Sequence, residues 1–382
     1  MLRSLNLTRS LRLSRHFPSN SSSLSRFVHK MPTTSLEVPE KQIACVFDKH
    51  NGPIEVREIP VPEVGNNDVL VKILYSGVCH TDLHAWKGDF PIPAKEPPLV
   101  GGHEGAGIVV KIGANVKNFK VGDRAGIKWL NGSCLVCEQC RKGKENTCSV
   151  TKLSGLTHDG SFQQFAVVKA TEATPIPEDL DLAKAAPILC AGVTVYKALK
   201  ESNAKPGQFI AIPGAGGGLG SFAIQYANSM GLRVVAIDHP SKKEHCLSLG
   251  AEVFLDAFQE NLIDEVVKFT DGGPHAVLCI AAQDKTMTEA TKYVRTQGTV
   301  VLIALPKDGH CNVNVFWAVV RCITVKGSYV GCRQDAIEAL DFLKRGKIDV
   351  PIEILPLKEL PKVFERMESG ELKGRVVLDL WK

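Results

Sequence analysis

The sequence predicts a two-part α/β molecule: a β-rich, barrel-like part, and a part built on a parallel sheet with helices on both faces. Three observations carry this. Between about 38 and 168, short apolar runs are punctuated by Pro60, Pro62, Pro91, Pro93, Pro97, Pro98 and many glycines, as in an all-β region. From about 187 onward, strand-length apolar runs alternate with helix-length stretches, the grammar of βαβ units. At 382 residues the chain is also too long for one ordinary core and suits two.

In chain order, apolar runs at 69–73 and 106–110 are strands of the first part. In the second part a strand at 208–213 leads into a glycine run, and a helix at 221–230 follows. The next strand, 232–237, ends on Asp238. Helices at 241–249, 261–269 and 285–295 then alternate with strands at 253–255, 276–280, 299–304 and 323–326. Such spacing implies a doubly wound parallel sheet. The tail from about 327 holds an amphipathic helix at 335–343 and a closing strand at 375–380. Standing outside the repeat, it is free to return to the first part.

The net charge of +5 is misleading, because its excess sits at one end. Before Glu37, the first acid, lie Arg3, Arg9, Arg12, Arg15, Arg26 and Lys30; the remainder has 40 basic against 41 acidic residues. A nucleic-acid-binding face therefore has no support. Arg- and Ser-rich, acid-free and interspersed with leucines, residues 1–30 read as a mitochondrial transit peptide, which points to the matrix. No apolar run approaches the ~18 residues of a membrane span. The twelve cysteines are spaced for metal rather than for disulfides.

The densest chemical signal is Cys134-x2-Cys137-x2-Cys140-x7-Cys148. Four thiolates this close in sequence can wrap one tetrahedral zinc, with no position left for substrate, so this zinc is structural. A second set is dispersed: Cys79, His103 and Cys190. Alone, Cys190 reads as a small core residue and His103 as a hydrogen-bonded turn residue. Beside a four-cysteine lobe and a nucleotide motif they read as an open zinc site, where the metal acts as a Lewis acid toward a substrate oxygen.

Gly214-Ala215-Gly216-Gly217-Gly218-Leu219-Gly220 lies between a strand and a helix, where backbone can approach a pyrophosphate at the helix N-terminus. In the G-x-G-x-x-G register ending on Gly220 the first position is Ala215, an imperfect match. Asp238, at the end of the next strand, can accept hydrogen bonds from ribose hydroxyls and repel a 2′-phosphate. No arginine follows it to receive such a phosphate. The expected cofactor is NAD.

With these residues assembled, 40–382 resembles the yeast-type medium-chain zinc alcohol dehydrogenases, and the leader resembles that of mitochondrial isoforms. Four segments carry the likeness: SGVCHTDLHAW at 76–86, LVGGHEGAG at 99–107, GIKWLNGSC at 126–134 and PILCAG at 187–192. The resemblance implies a GroES-like β-barrel catalytic domain (38–186 and 327–382) interrupted by an α/β Rossmann NAD-binding domain (187–326). It implies two zincs per subunit, small-molecule alcohol or aldehyde substrates, and a homotetramer. By position, Cys79, His103 and Cys190 bind the catalytic zinc, Glu104 approaches it during ligand exchange, and Asp82 orients His103. Thr81 bonds the substrate hydroxyl and His84 passes the proton to water. His80 and Arg375 face the pyrophosphate, Lys243 lies near the adenosine ribose, and Thr194, Ile303 and Leu305 lie near nicotinamide. Three departures stand out: Phe90 where small-alcohol members usually have Trp, Ala304 where glycine is usual, and residues 279–287, which differ from the yeast pattern.

Overall fold

The structure, a computed structural model, describes residues 36–382 apart from Lys307 and Lys373. The expected leader lies outside the described residues. The described chain forms one compact unit from Glu37 onward.

Six parallel strands make the nucleotide-type sheet, in the spatial order Val253–Asp256, Arg233–Asp238, Phe209–Pro213, Ala276–Cys279, Thr299–Leu302 and Thr324–Gly327. All five residues of Phe209–Pro213 are buried, which is why the strand reads as an unbroken apolar run. Alternation along it sends Ile210 and Ile212 into one core and Phe209 and Ala211 into the other. The first core is closed by helices Ala191–Ser202, Gly218–Ser229 and Arg333–Lys344, the second by Leu262–Phe269 and Asp284–Tyr293. Ala336, Ala339 and Leu340, spaced on one helix face, bury that side of Arg333–Lys344.

The β-rich part centres on Asp68–Gly77. One edge of this strand pairs with Gly105–Ile112; the other takes Phe165–Lys169 along its first half and Arg375–Asp379 along its second. All three pairings are antiparallel. Arg124–Ile127 and Thr174–Pro175 extend one side, and Ile352–Pro356 extends the other by parallel pairing with Arg375–Asp379. Val69, Val71, Ile73, Val109, Ile127, Phe162 and Leu378 fill its core. The closing strand thus returns some 300 residues in sequence to the middle of the first sheet.

One element inside the β-rich part departs from the sequence reading: His80–Lys87 is an α-helix rather than strand and turn. Cys79 caps it, and Asp82 at the third helical position accepts the Cys79 amide at 2.9 Å. Gly88, at φ +74, ends it in the left-handed conformation that glycine adopts freely.

Candidate active site

Three segments converge at the mouth of this helix. Strand Asp68–Gly77 delivers Cys79, the turn before Gly105–Ile112 delivers His103 and Glu104, and the start of helix Ala191–Ser202 delivers Cys190. The ligand atoms of Cys79, His103, Glu104 and Cys190 lie within 4.8 Å of one another, all buried. His103 Nδ1 faces Asp82 Oδ1 at 2.6 Å, turning Nε2 toward Cys190 Sγ at 3.2 Å. A carboxylate on the far ring nitrogen fixes the tautomer and orientation of a metal-ligating histidine. Hydrogen bonding with the Cys190 thiol, aided by His103, holds Cys79 well below the ordinary thiol range despite its burial.

Glu104 lies behind the thiols. Burial pushes its carboxyl up to about 7 against the opposing pull of Arg375, whose Nη2 donates to Glu104 Oε1. Glu104 Oε2 is buried without a hydrogen-bond partner. Gly77 is required beside it: a Cβ there would stand 1.9 Å from that oxygen. An orphaned buried oxygen among two thiols and an imidazole is the donor chemistry zinc takes.

Thr81 and His84 sit three residues apart, on one face of the helix, while Asp82 and Leu83 turn inward. His84 is exposed, with Nδ1 3.0 Å from Asp89 Oδ2, and His80 is exposed at the first turn. Phe90 meets His84 edge-on at 6.2 Å and lies tilted by 48° against Trp129 at 6.0 Å; Trp129 stands edge-on to His103 at 5.1 Å. Thr194 is buried one turn after Cys190.

On the nucleotide side, Gly214 takes φ +85 and makes the tight turn, so Ala215 at the nominal first motif position needs no special conformation and is fully buried. Gly217 precedes helix Gly218–Ser229. A Cβ on Gly220 would lie 2.3 Å from the Gly214 carbonyl. Asp238 Oδ2 accepts the Gly216 amide at 2.7 Å. Lys242 packs its stem against Gly216, whereas Lys243 begins a helix and is exposed. Arg375 borders Gly218 as well as Glu104, joining the two halves of the site. Leu219 packs against the core below the turn. Ile303 is buried and Leu305 is largely exposed at the end of strand Thr299–Leu302.

The sulfurs of Cys134, Cys137, Cys140 and Cys148 also lie within 4.8 Å of one another. Backbone amides point at them: Cys137 N–H donates to Cys134 Sγ at 3.3 Å, and Cys140 N–H to Cys137 Sγ at 3.5 Å. The Cys137 and Val136 amides bring the Cys134 thiol down to about 6, the state a metal takes. Four thiols in one tetrahedral-sized cluster fit a closed zinc site.

Sequence reasoning missed three contributors. Tyr329 accepts the Trp129 indole N–H through its hydroxyl. Phe258, 72% exposed, meets His239 edge-on at 5.7 Å beside the Asp238 strand end, where an adenine could stack. Lys128 and Glu172 form a fully buried ion pair of 2.9 Å, and Ser133 Oγ donates to Glu172 at 2.6 Å, pinning the entry to the four-cysteine lobe. An exposed Phe and an internal Lys in an apolar run were the signals available.

Two family models match the chain: an alcohol dehydrogenase GroES-like domain over 65–178 and a zinc-binding dehydrogenase over 218–345. The chain is 50% identical over 347 residues to alcohol dehydrogenase 2 of Caenorhabditis elegans, covering 91% of this chain and 99% of that protein. Among solved structures, acetophenone reductase from Geotrichum candidum in complex with NAD is 30% identical with a TM-score of 0.78, over 90% of this chain and 99% of its own. A CAD from Helicobacter pylori complexed with NADP(H) is 26% identical with a TM-score of 0.79, over 90% and 99%.

Proposed function

The chain belongs to the zinc-type medium-chain alcohol dehydrogenase family, and on that premise we propose that it oxidises small primary alcohols such as ethanol to aldehydes with NAD, and catalyses the reverse reduction. The observation that carries this reading is the buried convergence of Cys79, His103 and Cys190, with Asp82 on the far nitrogen of His103. Held there, zinc would supply Lewis acidity toward the alcohol oxygen, and NAD over the glycine turn would accept the hydride.

The chain's own residues do the rest. Thr81 holds the substrate hydroxyl, and His84, on the same helix face and open to solvent, passes the proton to water. Phe90 and Trp129 wall the pocket and keep the reacting carbon away from bulk water. Cys134, Cys137, Cys140 and Cys148 would hold a second, structural zinc. NAD is favoured over NADP because Asp238 occupies the ribose-binding strand end with no arginine after it.

We further propose a homotetramer in the mitochondrial matrix, as in mitochondrial isoforms of the yeast-type enzymes. The assembly is supported by Thr324–Gly327, the edge strand of the parallel sheet, beside exposed Val315, Phe316, Trp317, Val319 and Val320. Leader composition supports the location. The test is to purify the chain lacking 1–30, count zinc per subunit, follow NAD reduction across an alcohol series, and weigh the particle by light scattering. Two zincs, ethanol-dependent NAD reduction and a tetramer mass are expected. A metal-free active enzyme, no alcohol turnover, or a monomer would each sink the corresponding part.

A further inference from the structure

Gln225 lies within helix Gly218–Ser229 and is only 9% exposed, yet both polar atoms of its amide are engaged. Its Oε1 accepts the Asp349 amide at 2.7 Å, and its Nε2 donates to the Asp349 carbonyl at 3.1 Å and to the Ser221 carbonyl at 3.2 Å. One side chain thus pairs with both backbone groups of a residue 124 positions away, as a neighbouring strand would. Around this contact, Ser229 Oγ donates to the Lys347 carbonyl at 2.9 Å, and Lys184 Nζ stands 2.7 Å from Asp349 Oδ1. Ile348 and Val350, on either side of Asp349, are buried.

The tethered segment leads directly to Arg375. Shortly after Asp349, Ile352 opens the strand Ile352–Pro356 and stands opposite Arg375 in the parallel pair. Arg375 is buried and donates to Glu104 through Nη2, while its Nε is buried with no hydrogen-bond partner among the described residues. A Cβ on Gly218, the first residue of the helix that carries Gln225, would stand 3.3 Å from Arg375 Cδ. Gly218 and Gln225 are about two helical turns apart and so face the same side. The contacts close a ring: along the helix to Gln225, across to Asp349, on to Ile352, across to Arg375, and back to Gly218. Asp238, on strand Arg233–Asp238, stands outside that ring.

We propose that Gln225 is the positioning residue for Arg375. By tying the start of strand Ile352–Pro356 to the helix behind the glycine turn, it sets the guanidinium where its remaining donors meet a pyrophosphate. The inference rests on the NAD reading above. Without the tie, Arg375 keeps its pairing with Glu104 and is held less firmly beside Gly218. The loss therefore falls on the pyrophosphate and spares the adenosine end at Asp238.

The experiment compares wild type, Gln225→Met and Gln225→Glu, each as the full zinc-loaded protein, by calorimetric titration with ADP-ribose and with AMP. ADP-ribose carries the pyrophosphate; AMP carries the adenosine and a single phosphate. Methionine keeps the length and loses both bonds to Asp349, so Kd for ADP-ribose should rise about fivefold or more and Kd for AMP less than about twofold. Amide exchange over 349–353 should rise, while that over 276–279 and the zinc content stay at wild-type levels. Gln225→Glu keeps the acceptor for the Asp349 amide, loses the donor to its carbonyl, and should move both readouts the same way. If Gln225→Met fails to fold, Gln225→Glu decides. Equal weakening of both ligands, unchanged ADP-ribose affinity, or unchanged exchange over 349–353 overturns the proposal. A wild type that binds neither ADP-ribose nor AMP is a different result, one that sinks the NAD reading itself.

Discussion

Asp238 is held from two sides, accepting the Gly216 amide through one oxygen and the His239 amide through the other, each at 2.7 Å. Its charge is therefore fixed at the strand end where a 2′-phosphate would have to enter. Asp238→Gly is expected to raise the NADP-to-NAD ratio of kcat/KM at least tenfold, by removing repulsion. NAD efficiency falls too, since the Gly216 amide loses its acceptor. Identical ratios before and after substitution would show that this carboxylate does not select the cofactor. Phe90 belongs to the alcohol side of the proposed reaction. It is half-buried between His84 and Trp129, so an indole in its place takes up room beside the reacting carbon. A pocket discriminates each methylene by only about 1–3 kcal/mol, so the effect is graded. Phe90→Trp should lower kcat/KM for propanol, butanol and hexanol relative to ethanol, with ethanol kcat little changed. Ratios that do not move across the alcohols would put Phe90 outside the pocket.

Among the elements, the four-cysteine lobe carries a thiol cluster separate from that of Cys79, His103 and Cys190. Cys148 is buried and follows the turn Glu145–Thr147, whose Glu145 and Asn146 reach across to Arg333 and Tyr329. Cys148→Ser leaves three thiols, a weaker metal site. It should lower Tm by about 5 °C or more and reduce zinc to one per subunit, with residual turnover in whatever stays folded. Wild-type zinc content and Tm in this variant would refute the closed-site reading. The six parallel strands were legible almost to the residue, because turn signals bound each of them and the four inner ones, largely buried, are continuous apolar runs. Helix His80–Lys87 was not. It is two turns long, sits in a Gly- and Pro-rich stretch, and is held by Asp82 bonding back to its cap rather than by an apolar stripe. For that reason Thr81 and His84, like Glu104, could be singled out only by family resemblance, whereas the seven cysteine and histidine donors announced themselves by residue type. Helix Val315–Val320 gave an apolar run and no periodicity, since all its large side chains face outward. Tyr329 and Asn146 meet across 183 positions, a contact no local pattern encodes.

At the scale of the whole molecule, the charge map separates a cationic N-terminal segment from a near-neutral remainder. A fusion of residues 1–30 to a reporter is expected to enter mitochondria, and the mature chain to begin between about residues 27 and 36. A cytosolic reporter, or a mature protein starting at Met1, would defeat this. The body has its own asymmetry. The thiols of both clusters, the glycine turn and Asp238 all precede residue 239, yet the strand Arg375–Asp379 that completes the first sheet lies far beyond them in sequence. Arg375, on that strand, is the cation for buried Glu104 and also borders Gly218. Pairing so distant in sequence forms only once both partners are available. A chain folded only as far as Asp238 would hold every donor atom of both clusters and an open seam in the first sheet. The strand that closes the seam is also the one that brings buried Glu104 its cation, so completing the sheet and neutralising the carboxylate are a single event.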